Sequence, residues 1–398
     1  MERLGRVLVE AIVLEFGRDE LLRRLAHPFW FQSLGCVMGM DWHSSGITTS
    51  VLGALKRGLE PVSDDLGLWV CGGRGRHSRK TPQELSRVGE ITGLDGDALA
   101  RASRLVAKVD SAALQDGFAL YLHGFIVTAD GNWTVVQQGM NTGRREARRY
   151  HWLSENIESF VDEPHAAIEG RPHGPIANLA DERAGPSRQR QLELIEGGPD
   201  PVIETFRKAS PPPASAGALA LASEPRQQRL PHLSLPAHHD VRASDVRIRR
   251  LWSALAAAAD RGPKDFADLL LTPGVGARTI EALALVSEVL YGTPYRFSDP
   301  ARFSLAHGGK DGHPFPVPLE VYDRTLRVMR NAVQAAKLGN RDRLGALRRL
   351  DEQARRLEAA ASGASLQDHI AAERAGRKLG GRSVLENSRN ELSLRRSP

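Results

Sequence analysis

The chain has 398 residues, with 54 Lys and Arg against 48 Asp and Glu and a net charge of +6, enough length for two or three domains with cores of their own. Its two cysteines, Cys36 and Cys71, form no Cys-x-x-Cys pair, which excludes a disulfide framework and a cysteine-based zinc site. No apolar run approaches the roughly twenty residues that span a bilayer, and the charged amphipathic stretch 1–26 is unlike a signal peptide, so a cytoplasmic protein without membrane contact is expected.

Residues 1–31 carry Leu4, Val7, Leu8, Ala11, Ile12 and Leu14, then Leu21, Leu22 and Leu25, at helical spacing, which predicts one or two helices. "GMDWHSSG" and "CGGRGRHSRKTPQEL" follow as Gly-rich loops. The second ends in Thr81-Pro82-Gln83-Glu84, a helix start with Pro at its first position. Helix is then expected over 86–106, interrupted near "TGLDGDA". "LYLHGFIVT" and "WTVVQQG" flank Ala129-Asp130-Gly131-Asn132 and predict a β-hairpin. "REARRYHWLSENIESFVDEPHAAI" reads as a return to helical spacing.

Residues 170–236 are rich in Pro, Ser, Ala and Arg, with "SPPPASAGALALASEPRQQRLP" at their centre, and predict a flexible linker. Residues 237–350 read as helical and punctuated by Gly and Pro, and 351–398 as a basic charged tail. From Asn340 onward thirteen Arg and Lys stand against eight Asp and Glu, so most of the positive surplus lies at this end, consistent with a polyanionic partner or a solvated terminus. The expected architecture is therefore α+β: a domain over 1–169 that carries the chemistry, containing a small antiparallel hairpin or sheet, tethered to an all-helical domain.

Within the helical part, "LLLTPGVGARTIEAL" places Pro273, Gly274, Val275 and Gly276 between two apolar runs. The turn residues exclude bulk, and the unpaired first amides of the helix opening at Ala277, flanked by Arg278 and Thr279, suit an oxyanion such as a phosphate. Two tightly connected core helices are the plainer reading, and Val275 and Ile280 are buried under both. The pattern resembles the helix-hairpin-helix motif of DNA repair and recombination proteins. That resemblance implies sequence-independent binding of the duplex backbone. Gly72, Gly73 and Gly75, interleaved with Arg74, Arg76, Arg79 and Lys80, are expected to form a flexible cationic loop suited to the same backbone. This loop lacks the Gly-Lys-Ser/Thr ending of a nucleoside-triphosphate site.

The first half also holds polar residues in apolar surroundings: Asp41, His43, Ser44 and Ser45 in one loop, Asp110 and Asp116 around Gln115, His123 on the first hairpin strand, Gln137 and Gln138 on the second, then His151 and His165. Carboxylates with histidines suit metal-dependent phosphodiester chemistry, with Asp110 and Asp116 as expected ligands of Mg or Mn and Asp41, His43, His123, Gln137 and His151 as further catalytic candidates. Helix capping by Asp110, a turn at Asp116 and a half-buried strand histidine are the corresponding structural roles. Near the far end, His307, Lys310, Asp311 and His313 surround three glycines, and Asp299 lies some twenty residues beyond the Gly-Val-Gly turn. The placement is similar to that of the catalytic aspartate in helix-hairpin-helix DNA glycosylases.

The segments "PFWFQSLGCVMGMDWHSSGITTSVLGALK", "GGRGRHSRKTP", "DSAALQDGFALYLHGFIVTADGNWTVVQQGMN", "ARRYHWLSENIESFVDEPHAAI", "LPAHHDV" and "DPARFSLAHGGKDG" together resemble the prokaryotic family known as domain of unknown function 763. The resemblance covers most of the chain and implies no particular chemistry. Members usually open with a Gly- and Pro-rich segment containing a histidine, so a chain whose Met1 lies within the first helix is expected to lack it. The function expected from these features is a DNA-binding protein of genome maintenance with a nuclease-like or other DNA-processing activity. A non-enzymatic DNA-binding scaffold and a DNA glycosylase are the alternatives.

Overall fold

Alternation along the hairpin strands builds the centre of the protein. Strands β3 (Ala119–Thr128) and β4 (Trp133–Asn141) flank the turn read from the sequence, and its length sets a register in which Val127 faces Trp133 and His123 faces Gln137. A computed structural model describes residues 1–40, 46–155, 157–209, 246–302, 327–334 and 339–360. Within it, β1 (Leu68–Arg74), β5 (Glu146–Leu153) and β6 (Ala167–Glu169) extend the hairpin into an antiparallel sheet of order β1-β3-β4-β5-β6.

Because side chains alternate across a strand, the sheet presents two different faces. Leu122, Ile126 and Val136 meet a helical layer made of α1 (Glu2–Phe16), α2 (Arg18–Ala26), α3 (Pro28–Val37) and α4 (Ile47–Leu59). Phe125, Val127, Val135, Tyr150 and Trp152 face the opposite way. There they meet α6 (Thr81–Thr92) and α7 (Gly96–Lys108), which follow the short helix α5 (Ser63–Leu66) and β1. Helix α7 starts where the Asp95 carboxylate accepts from the Ala98 amide at 2.9 Å, and its inward stripe is Leu99, Ala102, Ser103 and Val106. It ends in a π-helical turn, Val109–Ala113, which carries Asp110 inward.

Four regions differ from the sequence-based expectation. Residues 146–153 form β5 rather than a helix. Arg148, Tyr150 and Trp152 are buried on one face and Arg149 and His151 on the other, so polar side chains inside the protein imitate the solvent face of a helix. Residues 170–209 are not linker: they form β7 (Pro175–Asn178), α8 (Gly185–Glu196) and α9 (Pro199–Ala209), which place Ile176, Leu194, Ile195, Val202 and Phe206 in the core. Their Pro and Gly residues mark helix starts and turns, and residues 210–245 lie outside the described ones.

The third difference removes the tethered domain. Helices α10 (Ile248–Arg261), α11 (Phe266–Leu271) and α12 (Ala277–Tyr291) share one core with α7, α8, α9 and the sheet. Strand β8 (Arg296–Ser298) pairs with β7, which also pairs with β2 (Leu114–Gln115) in a second, three-stranded sheet. The described residues 246–302 thus hold a short strand besides their helices and share their core with the first half. A helix over 327–334 (α13) and α14 (Asn340–Ala360) place Met329, Val333, Ala346 and Leu350 against the α1–α4 layer. Among the described residues no helix is long and apolar enough to cross a membrane.

The Gly-rich segment expected to be a flexible loop is also mostly built into structure: Cys71, Gly72, Gly73 and Arg74 complete β1, and Gly75–Lys80 is a 3-10 turn leading into α6. Gly72 has φ +91°, and a Cβ there would stand 2.2 Å from the carbonyl oxygen of His123. Gly72→Ala is therefore expected to lower the unfolding free energy by about 1–3 kcal/mol, read as the shift of a urea midpoint. An unchanged midpoint would contradict this account of how closely β1 and β3 approach.

Candidate functional site

A line of hydrogen bonds crosses the sheet on the α7 side. The Gln137 amide nitrogen donates to Asp110 Oδ2 and, at 3.3 Å, to the Val106 carbonyl. Those two acceptors turn Gln137 Oε1 toward His123 Nδ1, 2.6 Å away. A carbonyl oxygen cannot donate, so Nδ1 carries the imidazole hydrogen and Nε2 is left with a lone pair. Facing that lone pair at 2.9 Å is the Ser103 hydroxyl from α7. Beyond Gln137, Asp110 also accepts from Trp152 Nε1 at 3.0 Å and from His165 Nε2, whose ring packs 4.5 Å from the Trp152 ring.

The line is almost wholly buried, with Ser103 2%, His123 5% and Gln137 0% exposed. Burial lowers the His123 pKa, only partly opposed by Gln137 and Asp110, and keeps the ring neutral. Ser103, His123 and Gln137 lie at the floor of a groove of about 930 Å³ whose walls include Arg79, Arg104 and Lys108. Lys108 donates to the Val275 carbonyl, and Leu271 is among the residues that line the groove. A second cleft of about 1100 Å³ runs between α1 and α14, where Arg3, Arg348 and Arg349 alternate with Asp342, Asp351 and Glu352. Among the described residues its lining holds no hydroxyl or thiol paired with a histidine.

Asp110, His123 and Gln137 are thus joined by hydrogen bonds, but Asp116 belongs to a different cluster. Asp116 Oδ2 accepts from Arg148 Nη1 at 2.8 Å and from the Tyr150 hydroxyl at 2.7 Å, while Oδ1 accepts from the Phe118 amide. Arg148 also grips Asp299 through both terminal nitrogens, at 3.0 and 2.6 Å. Asp299 takes two further amide hydrogens, from His173 and Ala301. Burial acts to lower the Arg148 pKa, yet Asp299 and Asp116 outweigh it and the net shift is upward. Burial raises the Asp116 pKa, with Arg148 opposing.

Every oxygen of Asp110 and Asp116 accepts a hydrogen from a protein donor, and the two carboxylates belong to separate hydrogen-bond clusters. Among the described residues no group of three or more His, Cys, Asp or Glu is arranged to hold a metal. Asp299, clamped by a guanidinium and two amides, has no oxygen turned to solvent for glycosylase chemistry.

His151 stands on the opposite face of the sheet. Its Nδ1 faces the Leu25 carbonyl at 3.1 Å and its Nε2 accepts from Arg149 Nε at 2.9 Å, an arrangement open only to the neutral ring. Burial, followed by Arg149, holds its pKa well below the usual value. The unfolded chain takes up this proton near pH 6.5 and the folded chain does not. The contribution is therefore present above about pH 6.5 and is lost as the pH falls below it. Between pH 7.5 and 5.5 the wild type is expected to lose more unfolding free energy than His151→Gln. Equal losses in chemical denaturation would contradict the role.

The remaining candidates divide by exposure. Arg74, Arg76, Arg79 and Lys80 are exposed around the 3-10 turn, with Arg74 over the Tyr121 ring. In the 274–279 turn, Gly274 has φ +86°, Val275 is buried, Gly276 is extended ahead of α12, the Ala277 carbonyl accepts from Gln115, and Arg278 is exposed. Thr279, expected beside the free amides, is instead buried. Asp41, His43, His307, Lys310 and Asp311 lie outside the described residues.

Sequence reasoning missed Ser103. Its signal was its position seven residues before Asp110, on one face of the same helix, at a site otherwise apolar. Arg148 and Tyr150 were hidden by the helical reading of β5.

Taken together, the fold and site define an α+β protein in which an antiparallel sheet, covered by helices, carries a hydroxyl–imidazole–amide line to a groove with cationic walls. The chain belongs to the family described as Protein of unknown function (DUF763), whose sequence profile matches residues 1–317. Comparison with curated proteins and with solved structures returns no match.

Proposed function

We propose that this protein is a DNA-processing enzyme of genome maintenance that holds a phosphodiester backbone in the groove beneath α7 and acts on it with the line ending at His123. The observation that carries the reading is the meeting of the His123 lone pair with Arg79, Arg104 and Lys108 in one groove. Cations draw in and neutralise phosphates, and a neutral imidazole at the floor accepts a proton from whatever attacks the phosphorus. Lys108 of the groove lining donates to the Val275 carbonyl, and the helix-hairpin-helix reading adds the first amides of α12 and Arg278 as a further grip on the same backbone. Amides and cations on phosphates bind without sequence preference.

A non-enzymatic DNA-binding scaffold is the second reading. What favours it is the near-complete burial of Ser103, His123 and Gln137.

Binding is tested with the full chain, because α10–α12 share their core with the rest of the protein. Duplex DNA of several sequences is expected to bind with similar affinity, falling as salt rises. Reversing charge in Arg79→Glu/Arg104→Glu is expected to weaken binding and flatten the plot of log affinity against log salt by about 0.9 for each phosphate that is no longer neutralised. Replacing Gly274 and Gly276 with larger residues should also weaken it. Binding that ignores salt, or that the double variant retains in full, would overturn the groove as the DNA site.

A further inference from the structure

Ser103 is a polar residue in the apolar stripe of an amphipathic helix, where alanine would complete the packing. Its hydroxyl instead meets the one imidazole nitrogen left without a hydrogen, and that ring is held in place by an amide oxygen whose own orientation is set by a carboxylate. Nucleophile, base and orienting group thus stand in the geometric order that activates a hydroxyl for attack. Arg104 lies one residue after Ser103 on α7, and with Arg79 and Lys108 it lines the same groove. Asp97 is the acidic member of that lining.

We propose that Ser103 is the nucleophile and that the reaction passes through a covalent phosphoserine at this position, an inference that rests on the DNA-processing reading. In the first step Ser103 Oγ attacks the phosphorus and its proton moves to His123 Nε2. The P–O bond to one deoxyribose oxygen breaks, and that oxygen leaves with the proton from His123. One DNA end is then joined to Ser103 as a phosphodiester and the other carries a free hydroxyl. In the second step a water, or a hydroxyl of another DNA end, gives its proton to His123 and attacks the same phosphorus. The Ser103–P bond breaks and Oγ regains the proton. The electron pairs and protons balance with water or a DNA hydroxyl as the only co-reactant, and each charged phosphorane faces Arg79, Arg104 and Lys108. Gln137 and Asp110 act through His123 as positioning residues.

The test treats the full chain with diisopropyl fluorophosphate, a small phosphorylating reagent that needs no DNA, and reads adducts by intact mass and peptide mapping. One adduct is expected, on Ser103. It should be absent in Ser103→Ala and form at least one hundredfold more slowly in His123→Gln, with circular dichroism establishing that both variants are folded. No adduct on Ser103, or one whose rate ignores His123→Gln, overturns the proposal. In parallel, DNA turnover by Ser103→Ala is compared with wild type. Turnover at the wild-type rate overturns the nucleophile and leaves the DNA-processing reading standing. Labelling of Ser103 in a chain that binds no DNA supports the nucleophile and overturns the DNA reading instead.

Discussion

Arg148→Ala is expected to lower the unfolding free energy by about 3–5 kcal/mol, the range for breaking a buried ion pair from one side. Arg148 is fully buried between Asp116 and Asp299, and its removal leaves two buried carboxylates without their cation as well as a cavity. A domain of this kind has a total stability of about 5–15 kcal/mol, so the variant should be largely unfolded in mild denaturant that leaves the wild type intact. Arg148→Lys should recover only part of the loss, since an ammonium cannot make the two-pronged grip on Asp299 while reaching Asp116 and the Arg171 carbonyl. Because this cluster joins β5 to the segment following β8, its loss should release both in one transition. A urea midpoint for Arg148→Ala within error of the wild type would refute the clamp.

The second large effect falls on chemistry. His123→Gln keeps a polar side chain of similar length but no group able to accept and return a proton, so the rate of DNA processing is expected to fall by about 10²–10⁴. Gln137→Leu removes the acceptor that holds the hydrogen on Nδ1. It should lower kcat more than it changes KM, since Gln137 is fully buried and acts through the His123 ring. Equal loss of binding and rate in both variants would mean that they disturb the groove as a whole.

Much of the architecture was legible in the sequence because local chemistry and global fold agree. The hairpin flanking 129–132, the start of α6 at Thr81-Pro82 and the break before α7 follow from turn residues and periodicity alone. Strand β5 was not legible, because Arg148, Arg149 and His151 are buried by partners far away in sequence: Asp299, Glu169 and the Leu25 carbonyl. Residues 170–209 were misread because prolines that begin helices look like prolines in a linker. In the site, His123 and Gln137 follow from the hairpin register, which makes them cross-strand neighbours. Asp110 was recognised as an important carboxylate, but its donors come from β4, β5 and His165, and only the fold brings them to it. Ser103 could be found only once α7 was laid across the sheet.

The central claim, that one groove both binds DNA and acts on it, is tested most directly by steady-state turnover of a labelled duplex with the full chain. Magnesium and manganese are supplied, and wild type, Arg79→Glu/Arg104→Glu and His123→Gln are compared. The account predicts that reversing the wall charges raises the DNA concentration needed for half-maximal rate. It also predicts that His123→Gln leaves that concentration nearly unchanged and collapses the saturated rate. A His123→Gln protein that turns DNA over at the wild-type rate would contradict it.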